Sequence, residues 1–470
     1  MLHSPSTKGL FLTLCLLCSI QNSNHILLAQ EGMEHSFLSE ETKSSITDII
    51  NQSLNSEIGF QRLSYLGDYY GPRLSGSTQL EQAIDWAVTE MTNDGFDRVW
   101  KQNVMVPHWV RGHEYAKIST PISRDLPMLG LGGSIGTNGK VLSGEVIVVH
   151  SFDELSQLDD EAKGKIVLFN VPFTTYGQTV QYRVNGAVEA SKKGAIASVI
   201  ASVASYSIQT PHTGVMYYEE GVPKIPHAAI TVEDANLIDR FIQRGEKVQL
   251  QLYMEAETKK DALSHNVIAE YKGSELPDEI VVLGGHIDSW DVGQGVMDDG
   301  GGCIAAWEAV RILIEQGIRP KRTIRVVLWT NEENGLRGAN EYARWVQDDE
   351  QSLQKHVIAM ESDAGVFDPI GFGFSGTEKA YIELSEIAQL LEPIEASELR
   401  KGGGGADIGP LMNKGVPGMG LNVDGEKYFW FHHTDADTIE KLDEDDFNEC
   451  VATMAAYAFG VADAERTLDR

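Results

Sequence analysis

The stretch VVLGGHIDSWDVGQGVMDDGGG, Val281 to Gly302, decides how this chain folds. Val281–Leu283 is an apolar, strand-like run that ends in two glycines, Gly284 and Gly285. The chain then delivers His286 and Asp288, and ten residues later the pair Asp298 and Asp299, followed by three glycines. A histidine and aspartates on glycine-padded turns at the end of a buried strand point to chemistry at that strand's carboxyl terminus. Open α/β sheets bind their ligands at such termini.

The pattern recurs downstream. The Val/Ile-rich runs EIVVLGGHID, RTIRVVLWTNEE and HVIAMESDAG each end in acidic residues or histidine. A helical stretch, CIAAWEAVRILIEQG, separates the first two and closes at Gly317. NGLRGANEYARWVQ supplies another helix after the second. Continuous apolar strands alternating with helices predict an α/β fold, with a mixed, largely parallel central sheet flanked by helices. Upstream, Ala83, Ile84, Ala87, Val88 and Met91 mark an amphipathic helix that stops near Gly95, preceded by the turn-rich GPRLSGS, Gly71–Ser77. The tail DEDDFNECVATMAAYAFGVADA reads as a last helix, with Phe447, Val451, Met454 and Ala455 at helical spacing.

Residues 121–258 change style. GEVIVVH, GKIVLFNVP and AIASVIAS are short β-rich runs bounded by glycine, with one helix around NGAVEASKKGA. They predict a β-rich insert with its own sheet, between an N-terminal part (30–120) and a C-terminal part (259–470) of the main domain. His150, His212 and His227 are scattered through it and read as surface or satisfied core histidines.

Among 470 residues, 69 acidic and 38 basic side chains leave a net charge of −31, which argues against nucleic acid or an anionic membrane surface as partner. Lys8 followed by the apolar run GLFLTLCLLCSI is too short to span a bilayer, and it reads as a signal peptide, residues 1–29, for export to a periplasm, secretory lumen or exterior. No other stretch is long enough for a membrane span. Cys15 and Cys18 fall in that segment, while Cys303 and Cys450 lie in helical patterns and read as buried free thiols.

Four strand ends or loops carry the candidate residues: His286, Asp288, Asp298 and Asp299; Glu332 and Glu333; Asp363; and His433 in FHHTDADT. Singly each is weak, because acidic pairs and lone aspartates usually serve surfaces and caps. Jointly they fit a dinuclear metal site, in which carboxylates and a hydroxide balance two divalent cations and imidazoles complete the shells. In His-x-Asp both side chains point the same way, so His286 can ligate while Asp288 orients it, or both can ligate. Adjacent Glu332 and Glu333 diverge, so that one can hold metal while the other acts as general base. The same alternation predicts that only one of His432 and His433 faces the metals. No GxxxxGK[ST], EF-hand loop or HExxH is present, and GVMDDGGG is not the GxGxxG of a dinucleotide fold.

GGHIDSWDVGQGVMDDGGG, LWTNEENGLRGA, MESDAG and FHHTDADT resemble, in order, the motifs of the M28 family of co-catalytic zinc exopeptidases. GPRLSGS, the Gly95–Phe96 pair and VPHWVRG (Val106–Gly112) extend the likeness to the carboxypeptidase Q branch, and the insert looks like a protease-associated domain. The resemblance implies two Zn2+ per subunit. His286 and Asp363 would bind one, Glu333 and His433 the other, and Asp298 would bridge them. It further implies Glu332 as general base and acid, Asp288 as support for His286, and no ligand role for Asp299 or His432. Small peptides, above all dipeptides with free termini, are the implied substrates, and a homodimer the implied assembly. The alternatives are an aminopeptidase or glutaminyl-cyclase-like enzyme on the same scaffold, or a binding protein that has lost its metals. Every expected ligand position is filled. Since imidazoles must be neutral to ligate, metal loss is expected below about pH 6.

Overall fold

The computed structural model describes residues 36–348 and 350–470; the expected signal peptide lies outside them. The central sheet has eight strands, in the order Arg98–Val106, Ala262–Tyr271, Arg322–Trp329, Leu276–His286, His356–Glu361, Gly418–Val423, Pro369–Ser375 and Glu398–Lys401. Its middle four strands run parallel; Ala262–Tyr271 and Pro369–Ser375 pair antiparallel with them on either side, and of the edge strands Arg98–Val106 is antiparallel and Glu398–Lys401 parallel to its neighbour. Arg322–Trp329 and His356–Glu361 are buried along their whole length, as strands covered on both faces must be. Register sets His286 opposite Trp329 and Gly284 opposite Glu361, so three carboxyl ends finish on one rim.

Helices cover both faces. The Glu444–Asp463 helix is buried on all sides from Cys450 to Ala462, which explains why its sequence is apolar all round. It packs with Gly301–Gln316 in the larger core. On the opposite face, Ala339, Tyr342, Ala343 and Val346 of the Arg337–Asp348 helix meet Val282, Val327 and Trp329. Cys303 and Cys450 are free and buried. Among the described residues, no helix is long and apolar enough to cross a membrane.

A second eight-stranded sheet occupies Glu114–Met254, with helices Phe152–Gln157, Tyr176–Lys192 and Val232–Gln243. It starts before residue 121 because Glu114–Thr120 pairs with Gln249–Met254. Four of its strands, Leu142–Val149, Ile166–Phe169, Ala197–Ala201 and His227–Ile230, are parallel neighbours. The two halves interlock through the opening stretch of sequence. Trp290 and Val292 lie in the second sheet's core, and Arg111 grips Asp291 with two hydrogen bonds of 2.8 and 2.5 Å.

Candidate metal centre

His286, the Glu332–Glu333 pair and Asp363 sit where a strand has just ended, and Asp298 and His433 sit beside helix ends. His286 closes its strand, and Gly285 before it has no room for a Cβ, which would lie 2.9 Å from Cys303 N and against the Asp299 carboxylate. Asp298 lies in the irregular turn Val296–Gly300 that opens the Gly301–Gln316 helix, and its peptide to Asp299 is cis. Glu332 and Glu333 follow Arg322–Trp329, Asp363 follows His356–Glu361, and His433 follows the short helix Tyr428–Phe431.

These residues converge. His286 Nε2 lies 3.2 Å from Asp298 Oδ1 and 3.4 Å from Asp363 Oδ1. His433 Nε2 lies 3.0 Å from Glu333 Oε2 and 3.3 Å from Asp298 Oδ2. The two oxygens of Asp298 thus each face a different imidazole. Both rings turn Nδ1 outward to a main-chain carbonyl, His286 to Asp288 O at 2.9 Å and His433 to Thr213 O at 3.3 Å. That contact holds the proton on Nδ1 and aims the Nε2 lone pair at carboxylates. Lone pairs facing each other need a cation or a proton between them. Asp298 Oδ2 and Glu333 Oε1 are moreover buried without a hydrogen-bond partner. Two imidazoles and three carboxylates, partly unsatisfied, are a donor set that fits zinc-type divalent cations.

The electrostatics agree with the crowding of charge. Burial opposes ionisation of Asp298, but His286 and His433 outweigh it and hold the carboxyl well below its usual range. Burial first, then Asp363, Glu333 and Asp288, push the Glu332 carboxyl well above its usual range. Glu332 lines a cleft of about 480 Å³ together with Asp298, Glu333, Asp363 and His433.

Three expectations change. Asp288 supports His286 through its main-chain carbonyl, and its carboxylate Oδ1 stands 3.8 Å from the ring. That carboxylate instead accepts the N–H groups of Glu332 (3.0 Å) and Glu333 (3.4 Å), so it fixes the turn that carries both glutamates. The alternation that separated His432 from His433 does not hold, because His433 has φ 61°. The left-handed residue stacks the two rings at 3.5 Å and brings His432 Nε2 within 3.6 Å of Asp298 Oδ2. Nor are all the histidines of the insert surface or satisfied core residues. His227 is a core residue bonded to Ser198 Oγ at 2.6 Å, and His150 bridges Glu154 and Asp239. His212, however, lies fully buried in the segment that touches His433, and burial lowers its pKa to about 3. Asp299 makes no contact with the imidazole nitrogens; its carboxylate accepts His286 N–H at 3.0 Å and Gly302 N–H at 3.1 Å.

Other supporting residues carried no clear signal in the sequence. Asp437, in the same TDADT segment, accepts the N–H groups of Val296, Met297 and Asp298 at 3.2, 2.8 and 3.2 Å. Glu361 accepts those of Asp407 and Ile408, and so ties the glycine-rich loop to the rim. Arg73 of GPRLSGS is fully buried under the His286–Asp298 loop. The insert furnishes one wall of the cleft with Tyr176, Arg183, Val215 and Tyr217.

Comparison with known proteins gives a consistent picture. Residues 266–458 match peptidase family M28. The chain is 46% identical to mouse carboxypeptidase Q over 411 residues, 87% of each protein, and 47% identical to human carboxypeptidase Q over 87% of this chain and 86% of that one. A crystal structure of a peptidase M28 precursor from Shewanella amazonensis superposes with a TM-score of 0.87 at 35% identity, covering 92% of this chain and 99% of that one. BSAP, a zinc aminopeptidase from Bacillus subtilis, shares the fold at a TM-score of 0.66 and 21% identity, over 87% of this chain and 98% of its own. With the rim of histidines and carboxylates, the two interlocked sheets and this similarity along most of its length, the chain belongs to peptidase family M28.

Proposed function

We propose that this metallopeptidase is an exported di-zinc exopeptidase that hydrolyses small peptides, dipeptides with free termini first among them. The observation that carries the reading is the Asp298 carboxylate, whose two oxygens face His286 and His433 separately. His286 and Asp363 would hold one zinc, Glu333 and His433 the other, and Asp298 would bridge. When bound, zinc supplies Lewis acidity, lowering the pKa of a water and polarising the scissile carbonyl. Glu332, at the cleft surface with its N–H tied to Asp288, takes the proton from the attacking water and returns it to the leaving amine. Main-chain carbonyls of Asp288 and Thr213 keep both imidazoles in the ligating tautomer throughout. We further assign the insert expected at residues 121–258, whose sheet begins at Glu114, as protease-associated-like, with one wall on the cleft, and propose a homodimer. Product analysis on a set of dipeptides, tripeptides and aminoacyl-p-nitroanilides, with zinc quantified on the same sample, tests the reading. Cleavage of nitroanilides but no dipeptide would redirect it to an aminopeptidase.

Proton competition should set the working pH. Burial pulls His433 down, but Glu333 and Asp298 outweigh it and raise the ring to about 9. Metal must displace that proton, so affinity falls as pH drops below about 9, by up to about tenfold per unit for each such group. Burial and the neighbouring Asp298 raise Glu333 to about 7, which adds a second competing proton below that point. Zinc loss on dialysis is therefore expected to steepen below about pH 7, earlier than a free imidazole would give. Full zinc content after dialysis at about pH 4.5 would contradict this account of the ligands.

A further inference from the structure

The insert carries a cavity of its own, of about 470 Å³, apart from the metal centre. Like the catalytic cleft, it lies at the carboxyl ends of parallel strands. His150 follows Leu142–Val149, Asn170 follows Ile166–Phe169, Ser205 comes shortly after Ala197–Ala201 and Val232 shortly after His227–Ile230, and all four line the cavity. Open α/β sheets hold their ligands at such ends. The volume falls within the range of small-molecule pockets, about 300–1,000 Å³.

One wall is built around Asn170, which is only 8% exposed. Its Nδ2 donates to Asp239 Oδ2 at 3.0 Å and to Asn236 Oδ1 at 3.2 Å. A carboxylate can only accept, so Asp239 fixes which way the Asn170 amide points, and Asn170 in turn fixes Asn236. That leaves Asn170 Oδ1 as an acceptor and Asn236 Nδ2 as a donor, and among the described residues neither has a partner. A buried amide oxygen without a donor calls for one from outside the chain. The carboxylates behind this wall are engaged already. Asp239 Oδ2 also meets His150 Nε2 at 3.0 Å, and its Oδ1 accepts from Gln243 at 3.1 Å. Glu154 Oε2 faces His150 Nδ1 at 3.2 Å, so both ring nitrogens of His150 are spent on carboxylates. No lysine or arginine among the described residues lines the cavity. It therefore offers no cation to an anionic ligand and no open carboxylate to an ammonium. It offers a neutral acceptor, a neutral donor and the Ser205 hydroxyl, beside the rings of Phe173 and Tyr206. Those rings are held in place by Phe429 at 5.4 Å and Trp430 at 4.8 Å.

We propose that this cavity binds a neutral sugar, with the C–H face of a pyranose on the aromatic wall and its hydroxyls on Asn170 Oδ1 and Asn236 Nδ2. Each hydroxyl both donates and accepts, and several stand around one ring, so a single sugar satisfies both amides. A trans peptide unit carries its N–H and C=O on opposite edges and meets one amide at a time. The C–H face also suits the negative face of an aromatic ring. The site does not depend on the peptidase reading.

Calorimetry and saturation-transfer NMR on the zinc-loaded protein test this. The probes are methyl glycosides of glucose, galactose, mannose and N-acetylglucosamine, linear tetrasaccharides of the same sugars, glucuronate and N-acetylasparaginamide. At least one neutral glycoside should bind with a Kd of about 1 mM, as the few contacts of a monosaccharide give. Asn236→Ala should weaken it about 3- to 10-fold, the loss of one hydrogen bond, with dipeptide turnover and zinc content unchanged. Asn170→Ala should abolish binding, and the exposed Asn236 keeps the test open if that variant does not fold. A tetrasaccharide that binds tighter than its monomer identifies a glycan chain as the source, and equal affinity a free sugar; both support the site. No binding by any sugar at about 50 mM overturns the proposal. Binding that Asn236→Ala leaves unchanged, or glucuronate binding as well as glucose, overturns it too. Binding of N-acetylasparaginamide in place of the sugars would overturn it in favour of an amide ligand.

Discussion

Glu332→Gln is expected to bind zinc like the wild type and to lose about 10²- to 10⁴-fold in kcat, the usual contribution of a positioned general base. The amide keeps the size and shape of the side chain but cannot take a proton. Glu332 stands outside the proposed ligand set, and its side chain lines the cleft. Its main-chain N–H would still be held by Asp288 Oδ1 at 3.0 Å, so the turn should survive the change. Burial and the carboxylates of Asp363, Glu333 and Asp288 push the Glu332 carboxyl well above its ordinary range, toward the pH at which it must both accept and return a proton. Glu333→Gln is the contrasting control. Its Oε2 lies 3.0 Å from His433 Nε2, so that variant should lose metal as well as rate. Turnover of dipeptides and zinc content on the same preparations separate the two. Near-normal activity in Glu332→Gln would remove it from the chemistry.

The strand tips were legible because their signal is local. Each is an apolar run that stops at a glycine or an acidic residue, and a parallel sheet gathers such ends on one rim. His286, Asp298, Glu333, Asp363 and His433 meet there at 3.0 to 3.4 Å. What stayed hidden is of two kinds. Some of it depends on backbone that spacing cannot resolve. In His-x-Asp the carbonyl and the carboxylate of Asp288 are equally close in sequence, and the turn chose the carbonyl for His286. The positive φ of His433 likewise breaks an alternation that holds only for extended chain. The rest depends on contacts between distant segments. Thr213 and Arg183 reach His433 across 220 and 250 residues, and no periodicity within the insert marks them. The insert read as a separate body, yet Trp290 of the metal-site stretch is part of its core, 5.5 Å from the His433 ring.

Arg73 is the clearest such case, and replacing it should have the largest structural cost. Its guanidinium donates from Nε to Ile287 O at 2.9 Å, from Nη1 to Gly71 O at 2.7 Å and Gln294 O at 2.8 Å, and from Nη2 to Gly295 O at 2.7 Å. Ile287 lies between His286 and Asp288, and Gly295 directly precedes the turn that carries Asp298. One side chain thus ties together the two loops that supply His286 and Asp298, two of the five residues of the ligand cluster. Burial lowers the pKa of this guanidinium, and no carboxylate is among its hydrogen-bond partners, so Arg73→Met does relieve one expense of the native state. Against that relief stand four carbonyls that lose a charged donor, those of Ile287 and Gly295 in buried bonds and those of Gly71 and Gln294 in part-buried ones, at about 1–3 kcal/mol for each left unsatisfied; Gly295 O keeps the N–H of Gly300. The balance favours a net destabilisation of about 3–5 kcal/mol, a large share of the 5–15 kcal/mol typical of a folded domain. Arg73→Lys should rescue little, because an ammonium is a point donor and cannot span acceptors on separate loops. Thermal unfolding, together with zinc content at fixed free zinc, measures both consequences. A fall in Tm with weaker zinc binding is the expected pair of results. A variant with wild-type Tm and wild-type zinc affinity would show that the two loops hold their places without the arginine between them.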